Sequence, residues 1–306
     1  MEKIIILGGG ISAEREISLL TSHTIKSALE SDEMIAEILD PADFTDWTAL
    51  IAHLKSAQPD MIFMGLHGAA GEDGSLQNHL ESHDLPFTGS GSEACQLAMD
   101  KNTALDLATQ LNIPVPSRVY LNKSDFYSEE EIINFTGLPL VVKPNSSGSS
   151  VGISIVKEKS ELTEAMTDAW KHNDWLLCEK FIPGRELTVT ILDDKALPVV
   201  EIKPYQGWYD FANKYTHGNT EYICPADLTE LEKETIQQYA LDIFNTMGCK
   251  VYSRIDFRYD GDKFYFLEVN TLPGMTSLSL TPMAAKAVGL DLRALLLKII
   301  ELSKHK

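Results

Sequence analysis

Asp256 and Glu268 are acidic residues on two neighbouring strand-like segments, and their spacing could bring both carboxylates into one metal site. The segments 251–259 and 263–270 are joined by Asp-Gly-Asp, which is typical of a hairpin turn. Because side chains alternate along a strand, a register that pairs Asp256 with Glu268 places both on one face of the sheet.

The same register pairs Arg254 with Asn270, so an amide oxygen joins the two carboxylates. Two carboxylates about 5 Å apart repel by roughly 3 kcal/mol at an effective dielectric constant near 20, and a bound cation would reverse that sign. Carboxylate and amide oxygens suit Mg²⁺ or Mn²⁺, with phosphate filling the remaining positions. A solvated charged face is the alternative. Apolar residues flank these positions and predict that the core covers the opposite face of the sheet: Ile255, Phe257, Leu267 and Val269.

A loop of small polar residues at 143–150 follows a second predicted strand. Lys143 ends that strand, and Asn-Ser-Ser-Gly-Ser-Ser follows shortly after it. Backbone N–H groups, hydroxyls and a lysine suit an anionic phosphate, and Gly148 permits close approach of the backbone. The alternative is a flexible surface turn. Between two strands, such a loop could also form a flap over a ligand.

The glycine triplet at 8–10 follows the first predicted strand. With Ala13 it fits G-x-G-x-x-A, a weak form of the dinucleotide fingerprint. However, Glu14 lies at the start of the helix that follows, where its charge would repel a pyrophosphate. A ligand ammonium group fits this position better.

Composition excludes several classes of partner. The chain has 306 residues and a formal net charge of −19, which disfavours nucleic acid and anionic membrane surfaces. None of its four cysteines forms a CxxC pair, which predicts free thiols in a reducing compartment. No run of 18 apolar residues occurs. We therefore expect a cytoplasmic protein that binds neither membrane nor nucleic acid.

Hydrophobic periodicity predicts the elements that position these residues. Alternating strands and helices over the first hundred residues indicate a parallel sheet. A helix is predicted from Lys101 to Gln110, and another after Thr229, which forms a capping box with Glu232. The segment 203–224 contains few apolar repeats and is predicted to be a long functional loop.

The chain resembles the D-alanine–D-alanine ligases of the ATP-grasp superfamily over nearly its whole length. The resemblance implies a mixed α/β fold with a Rossmann-like substrate domain at 1–98, followed by central (99–182) and C-terminal (183–306) α+β domains that clasp ATP. The matching motifs are GGGISAEREIS (8–18), HGAAGEDGSLQ (67–77), MDK (99–101), VVKPNSSGSSVG (141–152), EKFIPGRELTV (179–189), YDFANKY (209–215), SRID (253–256) and LEVNTLPGMTSLSL (267–280).

For the nucleotide, the resemblance implies lysines on the phosphates, an adenine-binding segment at 179–182 and a ribose ligand at Glu186. It also implies two Mg²⁺ or Mn²⁺ ions bound by Asp256, Glu268 and Asn270. Arg258 stands where the family usually has an apolar residue. The implied ATP contacts are Lys101, Lys143, Glu179, Lys180, Ile182, Glu186, Trp208 and Lys214.

For the amino acids, the resemblance implies that Glu14 binds the ammonium group of the first D-alanine. Arg254 and the N–H of Gly274 would stabilise the tetrahedral oxyanion. The remaining implied contacts are Ser149 and Tyr215 as hydrogen-bonding partners of Glu14, His67 near the first substrate, and Ser279 and Leu280 at the carboxylate of the second.

The implied reaction has two steps. The first D-alanine attacks the γ-phosphate to give an acyl phosphate, and the amine of the second then displaces phosphate, which supplies peptidoglycan synthesis. Tyr215 goes with a dipeptide product in this family, and a homodimer is expected. The alternatives are a ligase that uses D-lactate, an NAD-dependent dehydrogenase that uses the glycine triplet, and a non-catalytic nucleotide-binding regulator.

Overall fold

The N-terminal part forms the parallel sheet that the alternation predicts. The computed structural model describes residues 2–31, 33–68, 70–148, 151–207, 209 and 218–306. In the first sheet the strand order is β2-β1-β3, with all pairs parallel. Both faces are covered, because alternate residues of β1 lie in two separate apolar clusters. The elements are β1 (Glu2–Leu7), α1 (Arg15–Leu29), β2 (Met34–Leu39), α2 (Trp47–Ala57), β3 (Met61–Met64), α3 (Ser75–Glu81) and α4 (Ser92–Met99).

The middle of the chain forms a four-stranded antiparallel sheet in the order β4-β7-β5-β6. Helices α6 and α7 cover one face of it and share its apolar cluster. The connection from β5 to β6 contains the polar loop after Lys143, as the flap prediction requires. The elements are α5 (Lys101–Gln110), β4 (Arg118–Asn122), α6 (Glu129–Thr136), β5 (Leu140–Pro144), β6 (Ser154–Val156), α7 (Leu162–Ala169) and β7 (Trp175–Lys180).

The last part forms a six-stranded antiparallel sheet in the order β11-β10-β8-β12-β13, with β9 beside β8. The capping box of Thr229 and Glu232 is confirmed at the start of α8. All four cysteines are free, as predicted. The elements are β8 (Arg185–Leu192), β9 (Lys195–Ala196), β10 (Val200–Pro204), β11 (Thr220–Ile223), α8 (Glu230–Thr246), β12 (Tyr252–Tyr259), β13 (Phe264–Asn270), α9 (Leu280–Ala287) and α10 (Leu292–Ser303).

The prediction of a continuous loop at 203–224 is wrong at both ends. Lys203 pairs with Glu221 and Pro204 with Thr220, so the ends of the segment are strand. The four residues of β11 are all half-buried, so buried and exposed positions do not alternate along this strand. The sequence therefore lacks the apolar alternation that would predict a strand here.

Helix α5 precedes the strands of the central sheet in the sequence, but it packs on the C-terminal sheet. Ala104, Leu105 and Ala108 share an apolar cluster with Phe266 of β13. The helix therefore links the two sheets, and its N-terminal residue Lys101 lies between them. In the described ranges, no helix has both the length and the apolar character needed to cross a bilayer.

Candidate active site

The hairpin register predicted from the sequence is confirmed. Asp256 lies opposite Glu268, and Arg254 lies opposite Asn270. A β-bulge follows, because Phe257 pairs with Phe266 and leaves Leu267 as an extra residue.

The bulge changes the side to which one residue points. Ile255, Phe257 and Val269 lie in the core as expected, but Leu267 lines a cleft on the side of the carboxylates. The prediction that Leu267 covers the opposite face is therefore wrong. Because Phe266 and Glu268 are two residues apart, plain alternation would place both on one face, and the extra residue separates them.

Two side-chain cations offset the repulsion between the carboxylates. Arg254 donates to both oxygens of Asp256, at 3.0 Å from Nε and 2.9 Å from its terminal nitrogen. Burial lowers the pKa of Arg254, but the charge and hydrogen bonds of Asp256 outweigh burial, and the net direction is upward. Asp256 is buried, so the solvated-face alternative is wrong for this residue. Thr188 supplies a third hydrogen bond to the same carboxylate, at 2.5 Å.

Lys101 is the second cation. Its ammonium lies 3.5 Å from Glu268 Oε2 and donates to the carbonyl of Ser147 in the flap at 2.6 Å. Complete burial lowers the pKa of Lys101, while the charge of Glu268 raises it in part, and the net direction is downward. A bound polyanion suits this buried ammonium group, because its oxygens would be charged hydrogen-bond acceptors for Lys101.

A cleft between the two antiparallel sheets forms the first cavity. On its floor Lys143 and Glu179 form a buried ion pair at 2.9 Å. The other oxygen of Glu179, Oε1, is buried and accepts no hydrogen bond from the described part of the chain. The lining residues are Pro116, Val141, Lys143, Ile153, Ile155, Glu179, Lys180, Phe181, Ile182, Glu186, Tyr209, Asp256, Arg258, Leu267 and Glu268.

A second cavity lies between the N-terminal sheet and the C-terminal elements. It brings together residues that are far apart in sequence, and it shares Glu268 and Tyr209 with the first cavity. Its predicted members are Glu14, His67, Lys101, Arg254, Glu268, Asn270, Gly274, Ser279 and Leu280.

Two glycines hold the walls of the second cavity close together. A Cβ added at Gly148 would lie 2.7 Å from Glu14 Oε2, so the flap contacts the start of α1 directly. A Cβ at Gly274 would lie 2.8 Å from Ser279 Oγ and 3.8 Å from His67 Nε2. A side chain at either position would therefore collide with a residue that lines the second cavity.

Ser279 precedes helix α9, and both Ser279 and Leu280 line the second cavity. Its hydroxyl accepts from the N–H of Thr276 at 2.9 Å and does not cap the helix. The first N–H groups of a helix, together with the helix dipole, favour a carboxylate at this position.

Comparison with known proteins places the chain in a family. A family model described as "D-ala D-ala ligase C-terminus" matches residues 107–301. The chain belongs to the D-alanine–D-alanine ligase family. A D-alanine–D-alanine ligase of Alkalilimnicola ehrlichii is 40% identical over 307 residues, covering 100% of this chain and 96% of that protein.

Solved structures of the same family agree over the whole chain. The D-alanine–D-alanine ligase of Bacillus anthracis is 32% identical with a TM-score of 0.87, and covers 100% of this chain and 98% of that one. Its complex with ATP is 31% identical with a TM-score of 0.85 and the same coverage. The predicted ATP-grasp fold is thereby confirmed.

The glycine triplet of this ligase does not offer a dinucleotide site. Gly8 donates to the carbonyl of Leu39 at 3.1 Å, and Gly9 to the hydroxyl of Ser18 at 2.9 Å. Gly10 donates to Asp40 at 2.9 Å. All three N–H groups are thus engaged inside the fold, and the dehydrogenase alternative is wrong.

His67 of the ligase has two partners that sequence analysis missed. Its Nε2 lies 2.9 Å from the Thr21 hydroxyl, and its Nδ1 lies 3.6 Å from Glu72. Thr21 is a buried polar residue on α1. In the sequence, only its place in the helical periodicity of α1 indicates that its side chain faces the interior. Thr188, Leu267 and Tyr209 were missed in the same way, because each enters the site through strand pairing or loop placement.

Four predicted site residues lie outside the described residues: Ser149, Trp208, Lys214 and Tyr215. Their roles in the ligase stay predictions.

Proposed function

We propose that this chain joins two D-alanine molecules in an ATP-dependent reaction, at the junction of its two cavities. The observation that supports this most strongly is the shared wall formed by Glu268 and Tyr209. A nucleotide in the first cavity can direct its terminal phosphate past Glu268 into the second, where Glu14 and Ser279 lie. Family membership supports the same reaction and its place in peptidoglycan synthesis.

The first cavity suits a base that carries an exocyclic amino group, as adenine does. Glu179 Oε1 is a buried acceptor without a donor in the described residues, and an exocyclic amino group is such a donor. The segment 179–182 and Glu186 line the same cavity, as expected for contacts to base and ribose. Lys143 and Lys101 follow toward the second cavity, where phosphates would replace their present acidic partners.

The donors beside Lys101 fit divalent metal ions. Asp256, Glu268 and Asn270 offer two carboxylates and one amide oxygen on neighbouring strands, which are hard ligands for Mg²⁺ or Mn²⁺. Nowhere in the described ranges do three His, Cys, Asp or Glu side chains group as a metal site. Mg²⁺ commonly takes one or two carboxylates and completes its shell with phosphate and water. When bound, two such ions would neutralise charge that develops on the phosphates.

In the first step, the side chains orient the first D-alanine toward the γ-phosphate. Glu14 binds its ammonium group, and Gly148 of the flap lies beside that carboxylate. One carboxylate oxygen of D-alanine attacks phosphorus and ADP leaves, which gives an acyl phosphate. Lys101 stabilises the negative charge, with Lys214 as a predicted second contact.

In the second step, the start of α9 binds the second D-alanine by its carboxylate, through Ser279 and Leu280. Its neutral amine attacks the acyl carbon, the tetrahedral oxyanion collapses, and phosphate leaves, which can take up the proton that the nitrogen loses. Arg254 and Gly274 both line the cavity, and we expect the Arg254 guanidinium and the Gly274 N–H to stabilise that oxyanion. Water must be excluded, because it would hydrolyse the acyl phosphate, and the flap supplies that closure.

Phosphate release tests this reaction. MgATP is supplied with D-alanine, with L-alanine, or with D-alanine and D-lactate together, and the mass of the product is measured. We expect phosphate and dipeptide with D-alanine. An ester product with D-lactate would support the alternative acceptor, and ATP binding without phosphate release would support the regulator.

We extend the proposal to organisation and location. The domain divisions at 1–98, 99–182 and 183–306 and a homodimer are expected from the family, and light scattering of the purified chain tests the dimer. Free cysteines fit a reducing compartment, so a cytoplasmic location is proposed and can be tested by cell fractionation.

A further inference from the structure

Arg258 forms a set of contacts that the proposed reaction does not explain. It lies on β12 two residues beyond Asp256, on the same face, and lines the first cavity. In the pairing of β12 with β8 it lies directly opposite Glu186. Its side chain is 19% exposed, so most of its surface is covered by the protein.

The guanidinium group binds the connection between the two sheets of the cleft. Residues 181–184 join β7 of the central sheet to β8 of the C-terminal sheet. Arg258 donates from Nε to the carbonyl of Ile182 at 3.1 Å, and from a terminal nitrogen to the carbonyl of Gly184 at 2.8 Å. Its other terminal nitrogen donates to Glu186 at 3.2 Å, and the group lies 5.8 Å from the ring centre of Phe181.

The backbone is equally constrained at this connection. Gly184 has a φ of +108°, and an added Cβ would lie 2.1 Å from the carbonyl oxygen of Tyr259. The turn at Gly184 therefore packs directly on β12, and Arg258 binds two carbonyl groups of this turn, those of Ile182 and Gly184. A planar guanidinium can satisfy three acceptors in fixed directions, which an ammonium on a flexible stem cannot do.

We propose that Arg258 is a positioning residue for the nucleotide, which holds the 181–184 connection and the carboxylate of Glu186 in the arrangement that receives base and ribose. This inference rests on the proposed ATP site. It predicts that Arg258 contributes to nucleotide affinity and to recognition of the ribose, and not to binding of D-alanine.

The test measures dissociation constants of ATP and 2′-deoxy-ATP by calorimetry, without D-alanine, for the parent, R258K and R258M. We expect R258M to weaken ATP binding by roughly tenfold and R258K by less, since lysine keeps the charge but loses the fork. We call the dissociation constant of 2′-deoxy-ATP divided by that of ATP the ribose ratio. The ribose ratio should fall toward one in R258M, because Glu186 is no longer held in place. The KM for D-alanine should stay unchanged.

Arg185→Met is the matched control. Arg185 lies at the end of the same connection and forms an ion pair with Glu201, at 2.9 and 2.7 Å, but does not line the cavity. Its removal should leave ATP binding within about twofold of the parent. Equal weakening in R185M and R258M, or an unchanged ribose ratio in R258M, would overturn the inference.

Failure of the parent to bind ATP would instead refute the proposed function. If R258M does not fold, R258K decides by the same two constants. An unaltered ATP constant and ribose ratio in R258K would then overturn the inference.

Discussion

Replacing Thr188 with valine should weaken metal binding without touching a proposed ligand. Thr188 is 1% exposed, and its hydroxyl donates to Asp256 at 2.5 Å. Valine has nearly the same shape but no donor. A hydrogen bond to a charged group contributes about 1.5–3 kcal/mol, so the free energy of unfolding should fall by about that amount. Arg254 keeps its two bonds to the carboxylate, so the fold should survive.

The assay is the rate of ADP formation against Mg²⁺ concentration, at saturating ATP and D-alanine. Loss of a hydrogen bond to a metal ligand costs about 10- to 100-fold in metal affinity, and the apparent Mg²⁺ constant should rise by that factor. Thr190→Val is the control, because Thr190 is equally buried on the same strand but bonds the Thr281 hydroxyl at 3.1 Å. The reasoning is refuted if T188V leaves Mg²⁺ dependence unchanged, or if both variants shift it equally.

Three further predictions follow from other contacts. Glu268→Gln should reduce phosphate release by at least about 100-fold while the circular dichroism spectrum is retained, since one of the two carboxylates proposed to hold the metal ions is lost. Turnover close to the parent would contradict the metal assignment. GTP should bind at least roughly tenfold more weakly than ATP in calorimetry, because its O6 acceptor would face the buried oxygen of Glu179, and equal binding would count against that contact. The hydroxyls of Tyr259 and Thr229 lower the pKa of Glu232 to about 2, so its stabilising effect is present above pH 4.5 and is lost as pH falls toward 2. The urea midpoints of the parent and of E232Q should therefore converge over that range, and a constant difference would argue against the shift.

Local pattern was sufficient for the hairpin and the helices of the site. Asp256 and Glu268 are close because a short turn sets their register, and alternation sets their face. The helix from Lys101 to Gln110 and the capping box at Thr229 follow from periodicity and cap chemistry, which also act locally.

Contacts between segments that are distant in the sequence could not be predicted from local pattern. Leu267 turns into the cleft because of a bulge, and a bulge depends on how two aromatic residues fit the core beneath them. Thr21 and Glu72 reach His67 only after helix α1 and the loop between β3 and α3 have been placed. The strand at 220–223 forms on an existing edge and has no apolar pattern of its own.

The common wall of Glu268 and Tyr209 has a consequence for inhibition. Because Glu268 and Tyr209 line both cavities, the nucleotide cleft and the amino-acid cavity adjoin, and one elongated compound could occupy both. In such a compound, one fragment would bind each cavity, and binding of the first fragment would make binding of the second intramolecular. The compound would then bind more tightly than either fragment alone, if the spacer matches the distance between the two cavities. The length of that spacer would report how far apart the two cavities lie in solution.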